Sequence, residues 1–303
     1  MAHHHHHGPA RYNRAFAIGV ALNVGYIAVE AGFGIMIGSL ALLADAGHNL
    51  SDVLGLLLAW GGNYLSQRRP TERFTYGWRK SSILAALMNA IILLVAMGGI
   101  AGEAIRRFNA PSPVAGTTII IVSAVGVVIN AVTAILFLSG RKRDLNIRGA
   151  FVHMAADAGI SAGVAVGGAV IIFTGWFWID PVISLLITVI IVVGTWGLLR
   201  DSFNLVIDAV PAGIDPEAVK DYLAGLPGVM GVHHLHIWAM STTDTALTAH
   251  LVKPDPTDDD ALLEIAGSEL HERFGIEHTT IQWERRNEPD QCGDACELGG
   301  RRK

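Results

Sequence analysis

The chain has 303 residues, of which 51% are hydrophobic and only 16% are charged, and its formal net charge is −5. Soluble domains contain about 25% charged residues, so this composition excludes a single soluble globular domain. The acidic balance and the lack of a basic cluster argue against nucleic acid as a partner. Charges are sparse until about residue 207 and ordinary afterwards, which predicts a membrane domain followed by a soluble domain.

Both ends of the chain differ in composition from the rest. Residues 1–10 contain a run of five histidines, which is either a purification tag or a native metal-binding tract. Residues 286–303 form a polar tail that we predict to be flexible and that contains Cys292 and Cys296. Two cysteines so close to the end give no disulfide framework.

Six apolar runs occupy residues 11–207, and each is long enough to cross about 30 Å of hydrocarbon as a helix. We therefore expect an α-helical integral membrane protein with six transmembrane helices. Lys and Arg are concentrated in the loops after the second and fourth runs, which places both termini in the cytoplasm. The runs are Ala15–Ile37, Ser39–Leu65, Ser81–Ile105, Val114–Leu138, Gly149–Phe173 and Phe177–Leu199.

Residues 208–285 read as a small soluble domain. Asp215 is placed to cap a helix that has Pro216 at its first position. The later segments alternate like strands or show a helical period, in the order α-β-β-α-β, which predicts a small α+β domain with helices on one face of an open sheet. The predicted elements are Pro216–Leu226, Val232–Met240, Thr245–Val252, Asp258–Phe274 and His278–Glu284.

Two of the apolar runs carry ionisable side chains near their middle. Such a side chain costs roughly 3 kcal/mol or more to insert into a bilayer, which indicates a functional site. In each of these runs a histidine precedes an aspartate by four residues, so the two side chains share one helix face. The pairs are His48 with Asp52 and His153 with Asp157.

Together the two pairs offer the ligands of one metal ion. Zinc prefers four ligands in a tetrahedron, with imidazole and carboxylate among them, and two carboxylates cancel its charge. Magnesium and calcium prefer all-oxygen shells, so we expect zinc first, with Co²⁺ or Cd²⁺ next. Protons compete with the metal for the same groups, so a site that opens to one side at a time would exchange zinc for protons.

Asp45 lies one turn before His48 and has two interpretations, a fifth ligand or a second-shell or proton-path role, of which we favour the latter. Two other functions are weighed against transport. A membrane metalloenzyme would need an open metal position and a general base beside the histidines, and the sequence supplies no such glutamate. A zinc sensor that does not transport is not excluded, although a midplane site between helices suits alternating access.

The SLALLADAGHNLSD and HMAAD segments resemble the zinc-transporting branch of the cation diffusion facilitator family. So do YGWRKSS, WIDP and VHHLHIWAM, so the resemblance extends over nearly the whole chain. It implies a homodimeric, proton-coupled exporter of Zn²⁺ in the bacterial inner membrane, with the four-ligand site described above. It also implies a ferredoxin-like cytoplasmic domain and a charged contact between Lys80 and Asp208 near the membrane boundary.

The resemblance further implies a metal site in the cytoplasmic domain, formed by histidines and acidic residues. Some relatives add a tail cysteine pair, although the spacing here is CxxxC. His234, His236 and His271 are interpreted as ordinary surface or strand residues. The matching positions are His233, His250, Glu277, His278, Glu284, Cys292 and Cys296.

Overall fold

The structure is a computed structural model that describes residues 12–66, 68–138 and 145–285. The run of histidines and the cysteines at 292 and 296 lie outside the described residues. Contacts between residues divide the chain into two compact units. The first unit comprises residues 1–57 and 89–197, and the second comprises residues 58–88 and 198–303.

Six long helices lie within the described part of the chain, and they coincide with the six predicted apolar runs. Four of them, α3, α4, α5 and α6, contain a span that is long and apolar enough to cross a membrane. Several helices continue past the apolar runs into polar sequence. The bounds are α1 Tyr12–Ile37, α2 Leu40–Ser66, α3 Ser81–Asn109, α4 Gly116–Leu138, α5 Leu145–Thr174 and α6 Ile179–Val206.

Helices α4 and α5 approach each other through glycines. A Cβ atom added to Gly116 would lie 2.7 Å from the carbonyl oxygen of Gly168, and one added to Gly168 would lie 3.0 Å from the carbonyl oxygen of Gly116. Any side chain at either position would force the two backbones apart. Close approach through small residues is how helices associate in lipid, where the hydrophobic effect between them is absent.

Asp180, at the start of α6, caps the first turn of α2. Its carboxylate accepts hydrogen bonds from the Leu40 amide at 2.8 Å and from the Ser39 hydroxyl at 2.5 Å. Asp180 is only 1% exposed, and a carboxylate is favoured at a helix N-terminus because it satisfies free amide groups there. Arg107 of α3 donates a hydrogen bond to the Gly38 carbonyl oxygen in the preceding turn. The first turn of α2, the helix that carries His48, is therefore held by two neighbouring helices.

The second unit contains a three-stranded sheet with two helices, in the predicted order α-β-β-α-β. Strand β1 pairs antiparallel with β2, and β2 pairs parallel with β3. The predicted cap at Asp215 is confirmed, because its side chain accepts a hydrogen bond from the Glu217 amide at 3.0 Å. The bounds are α7 Pro216–Ala224, β1 Gly231–Ala239, β2 Thr245–Val252, α8 Asp259–Phe274 and β3 His278–Glu284.

One face of this sheet is covered by α7 and α8. Leu247, Ala249 and Leu251 alternate along β2 and belong to the same core cluster as Leu223 of α7 and Leu270 of α8. Since side chains alternate between the two faces of a strand, His250 lies on the opposite face. This opposite face carries the cytoplasmic candidate site.

Candidate metal centres

The four predicted side chains of the membrane domain converge between α2 and α5. His48 Nε2 lies 3.2 Å from Asp157 Oδ1, and His153 Nε2 lies 3.1 Å from Asp52 Oδ2. The contacts within each helix are longer, at 3.9 Å between His48 Nε2 and Asp52 Oδ2 and 3.7 Å between His153 Nε2 and Asp157 Oδ2. Imidazoles and carboxylates thus alternate around a closed ring, the arrangement that could hold one small cation.

Burial within this ring is uneven. The side chain of Asp157 is only 2% exposed and that of His48 is 17% exposed, whereas Asp52 and His153 are 27% and 43% exposed. Ligand atoms of His48, Asp52 and Asp157 all lie within 4.8 Å of one another, which is close enough to bind one metal ion. His153, the most exposed of the four, is not part of this three-residue group, but it contacts both carboxylates.

Asp45 lies outside this ring. It is fully buried, and its Oδ2 accepts a hydrogen bond from the Ser161 hydroxyl at 2.9 Å. Ser161 lies four residues after Asp157, on the same face of α5, and Asp45 lies three residues before His48, on the same face of α2. Polar groups therefore continue from the ring along the facing sides of the two helices. The second-shell or proton-path role of Asp45 stays a prediction.

A further buried polar group joins α1 to α2, and the sequence favoured a packing or hydration role for it. Glu30 of α1 is fully buried and accepts a hydrogen bond from the Tyr26 hydroxyl at 2.6 Å. Asn49 of α2 donates to its other carboxylate oxygen at 3.4 Å. The sequence offered one signal for this group, a glutamate in an apolar run, but without the fold it could only be interpreted as a packing or hydration group.

In the second unit, His233, His250 and Glu284 form a second cluster on the uncovered face of the sheet. His233 and His250 are directly opposite each other on β1 and β2. Glu284 joins them, with Oε2 lying 3.2 Å from His233 Nε2 and Oε1 lying 3.0 Å from His250 Nδ1. The structure therefore brings together three of the residues predicted for a cytoplasmic metal site.

His234 joins this cluster, although the alternation of a regular strand would place it on the other face. The pairing of β1 with β2 shifts between His233 and His236, and His234 has a φ of 48°. Such a bulge adds one residue to the strand and redirects a side chain. Ligand atoms of His233, His234 and His250 lie within 4.8 Å of one another. The interpretation of His234 as an ordinary strand residue is not supported by this placement.

The structure does not bring Glu277 and His278 to this cluster. Glu277 accepts a hydrogen bond from the Thr245 amide at 2.9 Å, at the start of β2, whereas His250 lies near its end. His278 Nε2 instead lies 2.8 Å from Arg79 Nη1. The parallel register places both residues at the far end of the sheet from Glu284.

The predicted charged contact is present in the second unit. Lys80 Nζ lies 2.7 Å from Asp208 Oδ1, and each side chain is about half exposed. A second ion pair lies nearby, between Arg79 and Asp244 at 3.1 Å. Exposed pairs contribute about 0–1 kcal/mol to stability. Neither contact therefore adds much to the stability of the fold.

Comparison with known proteins identifies the class. Residues 16–206 match the family profile described as the cation efflux transmembrane domain, and residues 211–286 match that of the cation efflux protein, cytoplasmic domain. The chain belongs to the cation diffusion facilitator family, whose members are metal-cation transporters and not enzymes.

Individual relatives cover nearly the whole chain. The zinc transporter ZitB of Escherichia coli strain K12 is 38% identical over 293 residues, which is 94% of this chain and 93% of that protein. The cadmium, cobalt and zinc/H(+)-K(+) antiporter of Bacillus subtilis strain 168 is 34% identical over 289 residues, 94% of this chain and 92% of that one.

Among solved structures, the metal-bound C-terminal domain of the CzcD transporter from Cupriavidus metallidurans is 34% identical. The match covers 23% of this chain and 99% of the solved chain, with a TM-score of 0.22.

Proposed function

We propose that this protein exports Zn²⁺ from the cytoplasm in exchange for protons, through a tetrahedral site formed by His48, Asp52, His153 and Asp157. The observation that carries the proposal is the ring of alternating imidazole and carboxylate groups between α2 and α5. Its nitrogen and oxygen donors suit zinc, and Cd²⁺ and Co²⁺ are chemically acceptable cargo. The names of the relatives, which include zinc, cadmium and cobalt, support this choice.

Proton exchange follows from the chemistry of the same four groups. Metal binding requires neutral imidazoles and ionised carboxylates, and departure of the metal leaves groups that bind protons. When the site faces one side it binds the metal and releases protons, and when it faces the other side the reverse occurs. In this cycle the ring binds the metal in one state and protons in the other.

The surrounding architecture is part of the proposal. We propose that all six helices α1–α6 span the bacterial inner membrane within residues 11–207, with lipid around them and both termini in the cytoplasm. Residues 208–285 would form a ferredoxin-like cytoplasmic domain through which two chains form a homodimer. The match of residues 211–286 to the cytoplasmic domain of this family supports the dimer.

We also propose that His233, His234, His250 and Glu284 bind a metal ion in the cytoplasmic domain. Three imidazoles and one carboxylate form a donor set that suits zinc. A contribution from Cys292 and Cys296 stays a prediction from the sequence, since both lie outside the described residues. Metal at this site would stabilise or regulate the dimer rather than cross the membrane.

Uptake of zinc by reconstituted vesicles with an imposed pH gradient tests the transport proposal. We expect uptake that rises with the gradient and is lost in His153→Ala. In His48→Asp we expect uptake to persist with a changed preference between zinc and cadmium, because an oxygen donor replaces a nitrogen donor. Zinc uptake that does not change with the pH gradient would exclude proton exchange. Full transport activity of His153→Ala would exclude the proposed four-residue transport site.

A further inference from the structure

The membrane domain holds a second acidic group beside the ring, and the exchange described above does not use it. Glu30 of α1 and Asp45 of α2 are both fully buried. Their hydrogen-bond donors are neighbours, because the hydroxyl groups of Tyr26, which donates to Glu30, and Ser161, which donates to Asp45, both lie beside Gly126 of α4. No Lys or Arg forms an ion pair with either residue in the part of the chain that the structure describes. Two ionised carboxylates at this depth would repel each other with no cation to compensate.

The hydrogen bonds around the two carboxyl groups show which oxygen atom lacks a donor. Glu30 accepts from Tyr26 and Asn49, and Asp45 Oδ2 accepts from Ser161. The remaining oxygen, Asp45 Oδ1, is buried and has no N–H or O–H donor among the described residues. An ionised carboxylate can only accept hydrogen bonds, so a proton on one of the two carboxyl groups would supply the donor that this buried network lacks.

We propose that Glu30 binds one proton of the exchange cycle outside the metal ring, as the protonated partner of Asp45. This inference rests on the proposed exchange of zinc for protons and adds a residue to it. In the metal-free protein the Glu30 carboxyl group carries the proton. When zinc binds to the ring, the O–H bond of Glu30 breaks and the proton leaves to water on the side to which the site is open.

Contacts between helices explain how Glu30 senses the ring. Asn49, which donates a hydrogen bond to Glu30, directly follows His48, so Glu30 is bonded to the segment of α2 that carries two of the four proposed ligands. A shift of α2 relative to α1 changes the surroundings of the Glu30 carboxyl group. On the far side, Tyr26 lies against Gly126 of α4, where any Cβ atom would collide with the Tyr26 hydroxyl, and this fixes the position of Tyr26.

The test counts protons released when zinc binds to the full-length protein in detergent, using calorimetry in buffers of different ionisation enthalpy. Glu30→Gln keeps a similar shape and one acceptor oxygen, which can still accept the hydrogen bond from Tyr26, but it cannot carry the acid proton. We expect it to bind zinc and to release about one proton fewer than the parent. The matched control is Glu103→Gln, since Glu103 is ion-paired with Arg107 on α3, and it should release as many protons as the parent. An equal count for Glu30→Gln and the parent would overturn the proposal.

A second measurement needs no variant to fold. The infrared difference spectrum between zinc-free and zinc-bound parent protein should show the loss of a protonated-carboxyl band, and an unchanged band in this region would contradict the inference. The two proposals also fail separately. If Asp157→Asn binds as many zinc ions per chain as the parent, the transport site is wrong, whereas an unchanged proton count in Glu30→Gln with the same number of bound zinc ions removes only the role of Glu30.

Discussion

His153 Nε2 lies closer to Asp52 Oδ2 of the facing helix, at 3.1 Å, than to Asp157 Oδ2 on its own helix, at 3.7 Å. The same holds for His48, whose shorter contact is to Asp157 across the interface. The ring therefore depends on how α2 and α5 face each other more than on the spacing within either helix. A change in the separation or rotation of these two helices would open it.

Asp157 is the most buried member of the ring, so its carboxylate should be the most difficult to replace. Asp157→Asn keeps the shape and removes the charge that offsets the metal. We expect zinc uptake to fall by more than about 100-fold, because changes to residues that merely orient ligands already cost 10–100-fold. Uptake by reconstituted vesicles measures this.

The matched control for this loss is Asp201→Asn, which changes an exposed aspartate of α6. We expect it to transport at nearly the parent rate. Equal loss in both variants would mean that the effect comes from charge or folding rather than from the ring.

The close approach of α4 and α5 gives a prediction about stability. Gly116→Ala puts a Cβ atom 2.7 Å from the Gly168 carbonyl oxygen, and this overlap should cost about 1–3 kcal/mol. Thermal unfolding in detergent should therefore begin several degrees lower. Gly163→Ala adds the same methyl group to α5 with no atom within 4 Å, and it should leave the midpoint unchanged or raise it. A midpoint for Gly116→Ala equal to that of Gly163→Ala would contradict the close contact.

The bulge in β1 gives a prediction about the cytoplasmic cluster. His234→Ala should weaken zinc binding there by more than about tenfold, because it removes one of the proposed donors. His236→Ala is the matched control, since this side chain is exposed and lies outside the cluster. Both changes are best made in a chain that also carries Asp157→Asn, so that competition with a coloured chelator reports only the cytoplasmic site. The same loss in both variants would exclude a specific role for His234.

Asp259, at the start of α8, gives a prediction about pH. Partial desolvation acts to raise its pKa, but Arg285 and Lys253 beside the carboxylate outweigh this effect and hold the pKa of Asp259 below its ordinary value. A lowered pKa stabilises the folded state above the unfolded value, and this contribution is lost as the pH falls through the folded value. We therefore expect a loss of thermal stability below about pH 4.

Fluorescence-detected unfolding of the full-length protein at a series of pH values measures this loss. In Asp259→Asn the midpoint should be lower at neutral pH and should depend less on pH in the acidic range. Asp260→Asn, which changes the adjacent exposed carboxylate, should keep the dependence of the parent. Identical curves for the parent and Asp259→Asn would show that these ion pairs do not stabilise the fold.

The sequence predicted features that depend on local spacing. The two His–Asp pairs, the cap at Asp215 and the order of elements after residue 208 follow from the helical and strand periods and from turn residues. The convergence of the two pairs was a hypothesis about which helices face each other, and the structure brings all four side chains together. Helix ends were less accurate, because α3 continues through Arg106 and Arg107, which form ion pairs with Glu103.

Features that depend on register or on tertiary contact could not be read from the sequence. His234 enters its cluster through a bulge that breaks the alternation of β1, and no residue type marks that bulge in advance. Glu277 was selected because it lies near the start of β3, but the parallel register of β3 with β2 places it at the wrong end of the sheet. The position of Glu30 depends on α1 facing both α2 and α4, which the apolar pattern of α1 does not specify.

The cap that Asp180 provides also affects how α2 can move. The first turn of α2 is held by α6 and by Arg107, so a tilt of this helix about its held end would move its other end most. At about 1.5 Å per residue, His48 lies about 12 Å from Leu40 and the end of the helix at Ser66 lies about 39 Å from it. A tilt of a straight helix about Leu40 that displaces His48 by about 1 Å would therefore displace Ser66 by about 3 Å, so a small adjustment at the metal ring corresponds to a larger displacement at the far end of α2.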